Sequence, residues 1–443
     1  MTEIPKADPI DNIRVALFHF LPYYLRGIFL RSRWWFSFLA LFRIHPFGAR
    51  WGNWIRQKYG SNLVYFSIFG RKSLLVFDDE SLKKILDLSP EVFADSSFKK
   101  RGMQHFQPNA VTVSRGNRWQ DRREFNDFVL ADDSHSDAIL KVVSDVASLP
   151  HPHWPAIQRG FEKLTLGIIF GKENTKSLAV SNLQQRLMRK ANRILGKPDP
   201  SELARLRNTI DDLRHTSKGL ASKCPFHQGN AGISPSDQIS HWMFAMRESL
   251  ATNTARSMSL ILSHPNAHQL VMEEIANCDL DIAEQIDGLI FLEACVEEAL
   301  RLWPTVSLLI RETTQKISLC KWQIPPKTQV IIPNNFHHRD TSTFPDADQF
   351  NPDRWKTGSI YKFNHFSNGK QKCAGKQMAL FIAKAFIAHS LKRFHYSLIK
   401  PEIDSNSNIP YIYNHFRLRM SCKDRGHSIG LEQKSQEKLV QWS

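Results

Sequence analysis

The segment FSNGKQKCAG, residues 366 to 375, constrains the chain more than any other stretch. Cys373 follows Lys372 and stands directly ahead of a long helical pattern, Gly375 to Phe394, whose first turn carries Lys376. A helix N-terminus and nearby cations both lower a thiol's pKa, so the local sequence predicts a thiolate at position 373. Gly369 permits a tight turn, and Gly375 removes a side chain where something broad could approach the helix. A lone cysteine at a helix start is otherwise more often structural, so the surroundings must decide.

Composition narrows the choice. The 443 residues include 11 Trp and 29 Phe, which suits a protein enclosing a large flat apolar ligand or simply an aromatic-rich core. Cys224, Cys278, Cys295, Cys320, Cys373 and Cys422 are scattered without C-x-x-C spacing, which excludes a zinc cluster and a dense disulfide framework. Reduced thiols in a cytoplasmic setting are expected. The net charge of +16 points to an acidic partner or surface. No basic run interleaved with aromatics and no finger or helix-turn-helix spacing points to nucleic acid.

Residues 14 to 43 are rich in aromatics and Leu, but Arg26, Arg31 and Arg33 interrupt them before a span of roughly 20 apolar residues forms. Residues 1–44 therefore read as an aromatic and basic segment. It either lies on a membrane surface, with Trp34 and Trp35 at headgroup level, or packs on the protein itself. Residues 45–422 form the main domain, and 423–443 a polar tail expected to be disordered.

Within the main domain, ARWGNWIRQKYG predicts a helix closed by Gly60, LVYFSIFG and SLLVFDD a hairpin turning near Gly70, and ESLKKILDL a short helix. Helical periodicity then dominates: Trp119 to Val129, Trp154 to Phe170, Ser181 to Ile194, Ser201 to Ala221 and Ser236 to Ser263, the last stopped by His264-Pro265. Short β-like runs follow Pro304, then a Pro- and Asp-rich meander. The fold class expected is an α-rich α+β single domain, mostly helices with small β-sheets.

The loop's spacing resembles the haem-binding loop of cytochromes P-450, F-x-x-G-x-R-x-C-x-G, with Phe366, Gly369, Cys373 and Gly375 on its fixed positions. The resemblance implies haem b, with the Cys373 thiolate as axial iron ligand. Gln371 replaces the family's Arg or His, and Lys370 or Lys372 is expected to compensate for the lost charge. Further matches follow the family's order. Glu298-x-x-Arg301 with Arg354 resembles its structural Glu-Arg-Arg triad. Trp119 and Arg123 match its W-x-x-x-R propionate contact, and Arg311 a strand arginine facing the other propionate.

Ala245 to Leu250 resembles the family's oxygen-activation motif. There Glu248 and Ser249 retain the acid and hydroxyl of a proton relay, while Met246 and Leu250 replace a glycine and a threonine. By the same resemblance the pocket is lined by residues 93–113, the helices within 154–221, Ala245 to Ser249 and Thr305 to Ile310, with a short roof between Gly171 and Ser236.

The function implied is a haem-thiolate monooxygenase, an oxidoreductase that inserts one oxygen atom from O2 into a lipophilic small molecule by hydroxylation or epoxidation. No flavin- or nicotinamide-binding segment is visible, so a ferredoxin or flavoprotein is the expected electron donor. It would dock on the cations around Cys373 (Lys370, Lys372, Lys376) and on Arg118 and Arg122. A partner-independent haem-thiolate peroxygenase or isomerase, and a haem sensor without turnover, are the alternatives. A cytoplasmic location with peripheral membrane contact completes the expectation.

Overall fold

The alternation of apolar residues on either side of Gly70 folds as the hairpin it predicts. β1 (Leu63–Ile68) pairs antiparallel with β2 (Arg71–Val76), and Gly70 takes φ +75° at the turn. The computed structural model describes residues 3–42, 48–131, 135–171, 175–193, 196–224, 233–357 and 360–426. The polar tail expected from residue 423 lies mostly outside them.

Seven further strands complete the β component: β3 (Phe93–Asp95), β4 (Leu308–Thr313), β5 (Ile317–Leu319), β6 (Trp322–Ile324), β7 (Gln329–Pro333), β8 (Phe394–Lys400) and β9 (Arg419–Asp424). The first five-stranded sheet runs β1-β2-β7-β4-β3, while β5-β6 and β8-β9 are separate ladders. β3 and β4 pair antiparallel with Asp95 opposite Arg311. That register sets one edge of the site described below.

Helices form the rest. The Trp154–Phe170 helix begins with Pro155 in its first turn, is capped by the His153 ring accepting from the Ala156 N–H, and ends at Gly171 with φ +86°. It is buried on nearly every face, which its dense apolar composition requires. The helical run 235–263 ends as expected at His264, but Pro265 then opens a new helix, Pro265–Ala276, at its first position. The helix expected to reach Ala221 stops at Thr216, because Gly219 sits where any side chain would strike the Ile168 carbonyl. Lys376–Arg393 is the long helix after the cysteine. Three elements of the helical body, Ser136–Ala147, Pro265–Ala276 and Ile290–Leu302, were not singled out by periodicity.

The N-terminal segment is built into this body. Lys6 bridges to Tyr65 beside β1, and Ala7 and Val15 pack with Ile55 and Phe66. Further on, Asn192 clamps the chain, accepting from the Ile28 and Phe29 N–H groups (3.1 and 3.0 Å) and donating to the Leu30 carbonyl at 2.7 Å. Phe29 thereby enters the main core against Phe106, with ring centroids 5.5 Å apart. The segment's inner face packs on the protein; its outer face is another matter, taken up below.

Candidate active site

The cysteine loop is held by backbone geometry before any side chain acts. Gly369 has φ +67°, and a β-carbon there would lie 2.2 Å from the Leu86 carbonyl oxygen, so only glycine fits. The Cys373 N–H donates to the Phe366 carbonyl at 2.8 Å, closing the loop on itself. Arg123, on the Asn117–Leu130 helix, donates to the Lys372 carbonyl at 2.5 Å and pairs with Asp127 at 2.7 Å. That arginine ties the helix to the loop.

Below the loop the Glu-Arg-Arg triad is assembled. Arg301 donates to both Glu298 oxygens (2.8 and 2.7 Å) and to the carbonyls of His338, Ala347 and Gln349. Arg354 approaches Glu298 at 3.5 Å and Asp346 at 2.9 Å. His338 carries the network upward, since its ring accepts from the Asn364 N–H at 3.0 Å, two residues before Phe366.

Cys373 lies deep in the protein yet keeps accessible surface, because it opens onto a cavity of about 350 Å³. The wall is mostly apolar and joins the loop (Phe366, Gln371, Cys373, Gly375) to Trp119, Arg123, Ala245, Met246, Ser249 and Arg311. None of the described residues within 154–221 lines it, contrary to expectation. They are spent on core packing, and the cavity is bounded instead by Asp95 to Thr112, His241 to Asn253 and Thr305 to Leu309.

The free thiol differs from the sequence expectation. Burial pushes it above its ordinary pKa, and the Gly375 N–H, Arg123 and Lys376 pull it down without overcoming that. Depth is a property of the whole fold and outweighs the local charges. A metal would still take the thiolate, because coordination removes the proton outright.

The polar edge is arranged around Asp95, which motif matching missed. Arg311 and Lys99 pair with one of its oxygens at 2.9 and 2.7 Å, and the Gln371 amide donates to the other at 3.3 Å. Burial alone would raise this carboxyl, but Lys99, Arg311 and Gln371 together hold it below its usual range. The charge lost at Gln371 is therefore supplied in space by Lys99. Lys370 turns away to Glu91 at 2.7 Å, and the Lys372 carbonyl is what engages Arg123. A lysine three residues after a serine N-cap carries no sequence mark of this role.

On the remaining wall, residues 245–250 wind as a π-helical turn inside an otherwise α-helical run. Ser249 and Ala245 face the cavity. Glu248 does not: it accepts from Gln158 at 3.2 Å and lies 3.5 Å from Arg247. Adjacent helix positions point in different directions, and here only one of the pair points inward.

Comparison with known proteins bears on this arrangement. The Cytochrome P450 family model matches residues 235–412. A solved cyanobacterial protein, "Retinoic acid bound cyanobacterial CYP120A1", superposes with a TM-score of 0.66 over 84% of this chain and 94% of its own, at 18% identity, which shows the fold.

Residues 235–412 match the cytochrome P450 family model, and the chain takes the cytochrome P450 fold.

Among curated relatives, "Probable cytochrome P450 312a1" of Drosophila melanogaster is 34% identical over 30% of this chain and 28% of its own. "Cytochrome P450 monooxygenase AMT3" of Alternaria alternata is 33% identical over 36% and 34%. The matched region spans about a third of the length of such relatives. Cytochromes P450 use haem, and this cavity fits one. A β-carbon at Gly375 would project into open space, with Leu130 at 3.9 Å as its nearest neighbour. Among the described residues the buried Arg311 Nε and Gln371 Oε1 have no partner, which leaves the Arg311 N–H a donor ready for an anionic edge.

Proposed function

We propose that the protein is a haem-thiolate monooxygenase that inserts one oxygen atom from O2 into an apolar organic molecule. The observation that carries this reading is Cys373 opening, from a loop fixed on all sides, into an apolar cavity walled by an opened helical turn bearing Ser249. In this reading Cys373 ligates the iron of haem b, with Phe366, Gly369, Gln371 and Gly375 shaping that side. Trp119, Arg123, Arg311 and Lys99 hold the carboxylate edge, and Ala245 backs the other face. Haem so held supplies dioxygen and one-electron chemistry that no side chain offers. The apolar wall excludes water. Ser249 Oγ holds a proton at the cavity surface and can pass it on, since a hydroxyl both donates and accepts. Glu248 acts from outside the cavity by holding Arg247 and Gln158.

Electrons come from a separate carrier. Arg118, Lys370 and Lys372 are exposed on the Cys373 side, Lys370 pairing with Glu91 and the half-buried Lys376 with Glu297 at 2.9 Å, whereas Arg122 is buried with Ser114 at 2.6 Å and takes no part. A partner-independent peroxygenase or isomerase is the second reading, favoured by Met246, which fills wall space that a glycine would leave open.

A membrane surface is the proposed neighbour of the N-terminal segment. Ile10, Ile13, Leu17 and Phe18, and then Trp34, Phe38, Leu41 and Phe42, are exposed at helical spacings. No described helix is long and apolar enough to cross a membrane. Co-sedimentation with anionic phospholipid vesicles should fall in Trp34→Ala/Phe38→Ala; undiminished binding removes this proposal.

The decisive experiment is the reduced CO complex. The red-shifted Soret band of a thiolate ligand should appear and be lost in Cys373→Ser; its survival overturns the ligand assignment. Ser249→Ala should lower product per NAD(P)H by about 10²-fold or more, the usual cost of a positioned proton donor, and Glu248→Gln by much less. A larger effect from Glu248 would return the acid to the relay.

A further inference from the structure

Three arginines, Arg26, Arg31 and Arg256, converge behind the cavity with no carboxylate partner. Arg26 is 92% buried, with its guanidinium over the Phe36 ring, 5.7 Å from the centroid, and among the described residues its Nε has no hydrogen bond. Arg256 Nε is likewise buried and unpartnered, while its Nη1 donates to the Trp303 carbonyl at 2.6 Å and to Asn253 Oδ1 at 3.3 Å. Arg31 donates to the Gly27 carbonyl at 2.9 Å and to the Thr305 carbonyl at 3.4 Å. Among the described residues none of the three forms an ion pair. Glu248 acts on Arg31 through space, but it is already held by Gln158 and Arg247.

A buried cation ordinarily has a partner, because an uncompensated one costs several kcal/mol. Burial and mutual repulsion pull Arg26 and Arg256 down to about 9, so both remain charged at neutral pH. Arg31 and Arg256 lie deep in the fold yet keep accessible surface, as Cys373 does, so they border internal space. The cluster meets the cavity through two residues of its wall. Asn253 and Thr305 both line it, Thr305 donates to Asn253 at 2.8 Å, and these are the residues that Arg256 and Arg31 reach with long bonds to neutral oxygens. Bonds of 3.3 and 3.4 Å to neutral acceptors are weak, and a carboxylate accepting from the same donors would make shorter, charge-assisted ones.

We propose that this arginine cluster receives the carboxylate of an otherwise apolar ligand whose body occupies the Cys373 cavity, with Asn253 and Thr305 marking the boundary between the acid end and the apolar end. The proposal rests on the cavity being the ligand site, as in the reading above, and it names the substrate class as lipophilic acids. Two of the three arginines come from the N-terminal segment, so that segment completes the site.

The test is calorimetric titration of the full-chain holoprotein with dodecanoic acid and with dodecan-1-ol, which differ only in the charged end. The acid should bind about tenfold tighter or more, the value of one or two charge-assisted hydrogen bonds. Arg31→Met/Arg256→Met should abolish that preference while leaving the alcohol's affinity unchanged within about twofold. Equal affinities in the parent protein, or equal losses for both ligands in the variant, overturn the proposal. Titration with inorganic phosphate separates the other source of negative charge. Phosphate binding that is lost in the variant without competing with the acid would mark an independent anion site and overturn it too. Because the readout is heat, failure here with an intact thiolate–CO band refutes the acid site alone, whereas loss of that band refutes the haem-thiolate reading.

Discussion

Arg301, on the Ile290–Leu302 helix, and Arg339, in the meander it anchors under the cysteine loop, contrast with Arg26 and Arg256, behind the Ser249 wall: all are arginines set deep in the protein, but they are bonded in opposite ways. Arg301 makes five hydrogen bonds, two of them to Glu298. Arg339 donates to the carbonyls of Leu302, Ile409 and Pro410 and pairs with Asp348 at 3.3 Å. Among the described residues Arg26 has the Phe36 ring beneath its guanidinium, and its Nε has no hydrogen bond. The first region satisfies its charges within the chain and so fixes its own shape. The second leaves them to something outside the chain. A buried guanidinium is thus not a structural or a ligand-binding feature by type; its unspent donors decide which.

The contrast can be broken at either end. The largest effect is expected at Arg301, where Arg301→Ala would leave Glu298 buried without its main partner. Removing one member of a buried pair costs about 3–5 kcal/mol, so the urea midpoint should collapse and haem retention with it. A variant within about 1 kcal/mol of the parent would show that the meander is held by backbone contacts alone.

A smaller effect should come from acid. Burial holds His338 neutral, well below the ordinary value of 6.5, and its ring accepts from the Asn364 N–H. Burial lowers His151 and His415 in the same direction. A depressed histidine means that the unfolded chain binds the proton more tightly. The stabilisation is therefore complete above about pH 6.5 and is lost as pH falls below it. Urea midpoints should decline between about pH 7.5 and 5.5, less steeply in His338→Asn. A flat profile would mean that the histidines titrate normally.

The smallest effect, and opposite in sign, belongs to Arg26. Arg26→Met removes a buried charge with no carboxylate partner and loses only a cation–π contact, so stability measured without added ligand should stay level or rise by about 1 kcal/mol. Destabilisation comparable to that of Arg301→Ala would erase the distinction between the two regions.

Much of the cysteine side was legible in advance, because its requirements are written contiguously. Gly369, Cys373 and Gly375 stand within one loop, and Glu298 and Arg301 stand one helical turn apart. The elements around them followed from periodicity and from breakers such as Gly60, Gly70 and His264-Pro265. The other wall was read less well. The Glu248-Ser249 pair was found as residues, but helical spacing does not say which neighbour faces a cavity whose walls come from distant strands and helices.

Sequence by itself determined the cysteine loop, its glycines and the helix-to-meander triad, since each is a local demand on backbone or spacing. Only the tertiary structure set Asp95 opposite Arg311 across 216 residues and brought Lys99 to the charge that Gln371 lacks. It also placed Arg26 and Arg31 beside Arg256. The same division holds for Cys373, where neighbouring cations are visible in the sequence but depth is not. The free energy of a charge depends on how much water surrounds it, and that is decided by chain segments hundreds of residues away.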